Sequence, residues 1–76
     1  MPKRKADINI GHRAASEIRR LFDNMTRAAV VIGCDKSLLY TWEQGKAPSA
    51  MYLARLHEIG ADVLWILTGK ENKNVY

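Results

Sequence analysis

The chain has little with which to build a cross-linked, metal-bound or membrane-embedded protein. Its 76 residues include one cysteine, Cys34, and two histidines, His12 and His57. A single thiol cannot close an intramolecular disulfide, and neither histidine stands near it at a zinc-ligand spacing. A reduced, cytoplasmic setting is the expectation. The longest apolar stretches, Ala28 to Ile32 and Val63 to Leu67, are short, whereas a membrane helix needs roughly 20 residues. The basic start, Met1 to Asp7, lacks the apolar region that follows in a secretory signal. Internal repeats, low-complexity tracts and sustained strand-like alternation are also missing, which leaves helical periodicity as the recurring pattern.

Catalytic constellations are missing too. Neither Cys34 nor Ser37 has a histidine in a plausible nucleophile-and-base arrangement, and the carboxylates are scattered as helix caps and surface charges. A chain of this length supports one modest core and no deep two-domain cleft. The expectation is therefore a protein that is not an enzyme, with no cofactor, no metal and no small-molecule ligand.

Charge of one sign is in excess, but only locally. The net charge is +4 and the isoelectric point about 9.5. The first 20 residues hold Lys3, Arg4, Lys5, Arg13, Arg19 and Arg20 against Asp7 and Glu17, and the remainder is balanced. Such an excess suggests an anionic partner. Lys3, Arg4 and Lys5 read either as a solvated terminus or as an arm that touches phosphates or the minor groove. The organisation expected is a basic arm over 1–9, a domain over 10–69 and a short tail over 70–76.

Apolar spacings of three and four predict a first helix near 11–22, with Ile10, Ala14, Ile18 and Leu21 or Phe22 inward and Arg13, Glu17, Arg19, Arg20 and Asp23 on the other faces. Asp23 or Asn24 can cap a second helix, Met25 to Ile32, which Gly33 ends. Asp35 is a ready cap for a third, Lys36 to Gln44, with Leu39 and Trp42 buried and Lys36, Ser37, Tyr40 and Thr41 outward. Ser49 opens a fourth helix, with Leu53, Leu56 and Ile59 inward, closing at Gly60. Asp62 caps a fifth through Val63, Ile66 and Leu67, closing at Gly69. The fold class expected is all-α, five short helices on one core.

The stretch from Ala29 to Trp42 is the informative one. Small residues at Ala28 and Ala29 allow close helix approach, Gly33 permits a sharp turn, and Leu39 and Trp42 fix the helix that follows. A helix held in this way can enter the major groove, which is roughly 12 Å wide. Ala29 four before Gly33, Leu39-x-x-Trp42-Glu43-x-Gly45, Pro48-Ser49, Gly60-Ala61-Asp62 and Leu67-Thr68-Gly69 together resemble the Cro/cI-type helix-turn-helix domains of phage and bacterial transcriptional regulators. The resemblance covers residues 10–69.

That resemblance implies a compact, repressor-like DNA-binding domain whose third helix reads bases, with Lys36, Ser37, Leu38, Tyr40 and Thr41 as base contacts. It implies phosphate contacts from Asn24, Thr26, Arg27, Gln44 and Lys46. The partner implied is double-stranded DNA, a near-palindromic operator bound by a homodimer, as for a Cro-like or autoregulatory phage or prophage repressor. Attraction to any DNA is expected from the arm and the first helix. Two departures stand out: Met25 occupies a place where many relatives have a phosphate-bracing Gln, and Val30 and Val31 stand where charges are usual. The valines either pack under the first helix or form an apolar patch. Trp65, Val75 and Tyr76 are candidate dimer contacts, with core packing the other role open to Trp65. Cys34 and His57 read as wholly and partly buried residues without a functional role. The rival class is a helical protein-interaction module, such as an antitoxin or adaptor, docking through Val30, Val31, Trp65 and Tyr76.

Overall fold

The structure, a computed structural model, describes residues 9–70. They form α1 (Ile10–Leu21), α2 (Met25–Ile32), α3 (Lys36–Glu43), α4 (Ala50–Glu58) and α5 (Val63–Thr68), with no strand among the described residues. The all-α expectation holds. Each helix boundary lies within about a residue of where the caps and glycines put it. The proposed arm residues Lys3, Arg4 and Lys5, and the candidate dimer contacts Val75 and Tyr76, lie outside the described residues.

Local chemistry accounts for the helix ends. Asn9, Asn24 and Asp62 place a side-chain oxygen on the backbone N–H three residues on, in His12 at 3.0 Å, Arg27 at 2.7 Å and Trp65 at 3.0 Å, satisfying donors that a first helical turn leaves orphaned. Asp35 departs from expectation. Its side chain makes no capping bond, and the turn into α3 closes instead through its backbone carbonyl, which accepts from Leu38 N–H at 3.0 Å. Gly33 ends α2 with φ 85°, a left-handed conformation that disfavours residues bearing a Cβ.

α1 is the central element, packing on α2, α3 and α5, while α4 touches α2 and α5. Ala14, Ile18, Ala28, Ile32, Leu39, Trp42, Leu56, Trp65 and Ile66 form the core. Trp65 is 1% exposed, so its candidate role as a dimer contact is corrected: the short α5 turns the indole onto the core, and a partner cannot reach it. His57, expected to be partly buried, is exposed, as is Leu67, and Leu53 and Cys34 are half-buried.

The larger correction concerns α1. Arg13 and Glu17, expected on its solvent faces, are buried. Arg13 Nε donates to the Ile66 carbonyl at 2.8 Å, and its Nη2 to the Leu67 carbonyl at 3.4 Å. These are C-terminal acceptors of α5, where a cation also meets the negative end of the helix dipole. Glu17 accepts from Arg20 Nε at 2.7 Å and Nη2 at 2.9 Å, and from the backbone N–H of Asp62 at 2.6 Å. Two charged side chains thus fasten α5 to α1, because each supplies what a backbone terminus lacks.

Candidate nucleic-acid interface

α3 divides into two faces. Leu39 and Trp42 are 0% and 1% exposed, whereas Lys36, Ser37, Tyr40 and Gln44 are exposed. Spacings of three and four put the exposed four on one side of the helix and its extension. Leu38 and Thr41, also expected as base contacts, are half-buried. Leu38 packs against the core, and the Thr41 hydroxyl donates to the Leu38 carbonyl at 2.6 Å. That leaves the Thr41 oxygen able to accept and its hydrogen engaged.

The structure brings two of the expected contacts directly together. Lys36 Nζ donates to Thr26 Oγ1 at 3.2 Å, joining the first turn of α3 to the first turn of α2 across the Gly33 bend. Beside Thr26 stand the exposed Asn24 and Arg27. Asn24 Oδ1 is committed to its cap, so a ligand would meet the amide nitrogen. Lys46 is exposed in the loop after α3; its own N–H donates to the Thr41 carbonyl at 3.0 Å.

Gly11 holds that loop against α1. A Cβ on Gly11 would lie 2.6 Å from Gly45 C and 2.6 Å from Lys46 O, so only glycine lets the backbones approach this closely. A contact between residues 34 apart in sequence carries no local signature, and sequence reasoning missed it.

An open groove of about 470 Å³ runs between the end of α1, the start of α2 and the outer side of α3, lined by residues that include Arg19, Phe22, Asn24, Met25, Tyr40 and Glu43. Arg19 pairs with Glu43 across it. Met25 contributes an apolar wall. Val30 and Val31 are 76% and 50% exposed, so of the two arrangements open to them the apolar patch is the one observed; neither packs under α1.

The Cys34 thiol, in the bend itself, is pushed above its ordinary range by burial and by the neighbouring Asp35 carboxylate, with Arg55 opposing. Among the described residues no group of three His, Cys, Asp or Glu side chains could hold a metal ion, and no helix is long and apolar enough to cross a membrane.

No family model, curated protein or solved structure gives a significant match to this chain.

Proposed function

We propose that the protein is a sequence-specific, double-stranded-DNA-binding transcriptional regulator of the cytoplasm, without catalytic activity. It acts as a repressor by occupying promoter DNA. The observation that carries this reading is the Lys36–Thr26 bond. It unites the starts of two consecutive helices on one exposed edge, while Leu39 and Trp42 sink the opposite side of α3 into the core. A basic edge fastened to a rigid helix is what groove entry needs: phosphate contacts set the register and the helix face selects bases.

In this reading Lys36, Ser37, Tyr40 and Gln44 face the groove and its rim, and Asn24, Thr26, Arg27 and Lys46 meet phosphates. Lys36 suits the O6 and N7 acceptors of guanine. Two copies bind half-sites about 34 Å apart. Leu64 and Leu67, 58% and 43% exposed on α5, support self-association in the place of the buried Trp65.

The test is selection of bound fragments from random DNA, followed by measurement of affinity against salt. Enrichment of an inverted repeat, with affinity falling steeply as salt rises, is the expected result. Absence of enrichment together with salt-insensitive or absent retention would overturn the reading. It would favour the second one, a protein-interaction module, which the exposure of Val30 and Val31 supports.

A further inference from the structure

One exposed basic side chain belongs neither to the expected interface nor to the α1 network. Arg55, on α4, extends Nη1 to the carbonyl of Ile32 at 2.9 Å and to that of Gly33 at 3.3 Å. The last carbonyls of a helix have no partner within it, and a guanidinium there also meets the negative end of the helix dipole. The guanidinium carbon lies 5.3 Å from the centroid of the Tyr52 ring, within cation–π range. The Tyr52 ring in turn meets Trp42 edge-on, with centroids 5.9 Å apart and planes at 64°.

Trp42 is one of the two buried residues of α3, and Ile32 and Gly33 close α2. Through three side chains, then, α4 grips both helices that flank the bend: it holds α3 by its indole and α2 by its terminal carbonyls. The Tyr52–Arg55 spacing of three stacks the pair on one face of α4. The Lys36–Thr26 bond also spans the bend, between exposed side chains, while the left-handed glycine contributes no side chain and Asp35 makes no capping bond. A guanidinium is suited to the task, since it is always charged and carries several N–H donors in one planar fork, so one group can meet both a ring face and carbonyl acceptors.

We infer that Arg55 is a positioning residue: seated on Tyr52, it fixes the bend between α2 and α3 and thereby sets the angle at which α3 is presented. The consequence for DNA rests on the regulator proposal; the clamp on the bend does not. A reader helix displaced by a fraction of an ångström loses directed hydrogen bonds to bases before it loses attraction to phosphates. Arg55 therefore governs the preference for the selected DNA sequence over random DNA more than it governs affinity for DNA in general.

The experiment compares the full chain with Arg55→Ala and Arg55→Lys by two readouts. The first needs no DNA: iodoacetamide alkylation of Cys34, with hydrogen exchange of the Cys34 amide, which donates to the Ala29 carbonyl at 3.0 Å. Removing the Arg55 charge alone would disfavour the thiolate and slow alkylation, whereas opening the bend exposes the thiol and speeds it. Arg55→Ala is expected to raise the alkylation rate about threefold and to speed exchange similarly, as local opening becomes easier. Rates at or below those of the unaltered chain overturn the inference.

The second readout is the ratio of affinities for selected and random DNA, expected to fall about tenfold in Arg55→Ala through mispositioning. In Arg55→Lys, random-DNA affinity returns with the charge while the preference stays reduced. A full return of the preference would reduce Arg55 to its charge and overturn its positioning role. Should Arg55→Ala lose its helical circular dichroism, Arg55→Lys carries both readouts. If the unaltered chain selects no DNA, the regulator proposal alone fails, and alkylation and exchange decide the clamp.

Discussion

Replacing Glu17 by alanine isolates how much of this small fold depends on one buried carboxylate. Glu17 is 0% exposed and accepts hydrogen bonds from the Arg20 guanidinium and from the Asp62 backbone N–H. In Glu17→Ala the part-buried Asp62 N–H loses this carboxylate acceptor, which costs about 1–2 kcal/mol. Arg20 is half exposed and can turn to water, so its share is small, about 0.5–1 kcal/mol. The cavity left by one methylene and the carboxylate adds about 1 kcal/mol. The total is about 3 kcal/mol, comparable with the roughly 3–5 kcal/mol that a domain below 80 residues draws from its core.

Thermal unfolding followed by circular dichroism is the assay. At about 4–8 °C per kcal/mol for a chain of this size, Glu17→Ala lowers Tm by about 15 °C. Glu17→Gln keeps a carbonyl oxygen for Asp62 while presenting no charge to Arg20, so its cost is about 1 kcal/mol and about 5 °C. A Glu17→Ala shift below about 3 °C would refute the account of α5 as held through this carboxylate. A Glu17→Gln loss as large as that of Glu17→Ala would refute the division of the cost between the Asp62 bond and the Arg20 pair.

Four further outcomes follow from the same geometry. Gly11→Ala pushes a Cβ into the Gly45–Lys46 backbone and should cost about 1–3 kcal/mol in urea unfolding; an unchanged midpoint would show that the loop yields freely. Lys36→Ala should reduce affinity for the selected DNA more than for random DNA, by about 1–3 kcal/mol per lost base contact; equal loss on both sinks its role as a reader. Because the Cys34 thiol is raised in the fold, its alkylation rate should climb with pH at a higher midpoint than that of a cysteine peptide. The same sign makes its contribution to stability complete below the unfolded thiol range and lost as pH rises through the folded value; a midpoint at or below the peptide's would contradict the burial of the thiol. Lys46→Ala should lower the slope of log affinity against log salt by about 0.9, while Arg20→Ala leaves it unchanged; the reverse ranking would overturn the assignment of Arg20 to the fold and Lys46 to phosphate.

The fold was legible where the chain punctuates itself. Gly33, Gly45, Gly60 and Gly69 all adopt positive φ just beyond helices whose opening residues are polar caps, so backbone chemistry local to each boundary set the helix ends. The inner faces of α2 and α3 were legible for the same reason, since Ala28, Ala29, Leu39 and Trp42 combine size with spacing. What was not legible depends on distant partners. Ile10, Arg13, Glu17 and Leu21 also form a stripe spaced three and four, but two charges in it signal solvent until the Ile66 carbonyl and the Asp62 N–H come into contact with them. The Arg55 clamp and the Gly11 approach are invisible for the same reason. Trp65 was ambiguous because a six-residue helix can turn a large ring either way, and only its packing into the core decides the direction.

The burial of Arg13 and the pairing of Arg19 and Arg20 change where attraction to an anionic partner can arise. All three arginines counted toward the basic excess of the first 20 residues, and each is engaged within the fold: Arg13 at the end of α5, Arg19 with Glu43, Arg20 with Glu17. A charge neutralised by a near partner contributes little at distances beyond a Debye length of about 8–10 Å. Under the regulator proposal, long-range pull therefore rests on Lys3, Arg4 and Lys5 together with Arg27, Lys36 and Lys46, and α1 serves as scaffold. The division is physically coherent, because Arg13 and Glu17 are buried in the contacts that hold α5 on α1 and are not offered to a ligand. Selectivity then depends on how rigidly α1 and α4 hold α3, which makes Gly11, Glu17 and Arg55 as consequential for recognition as the residues that face the groove.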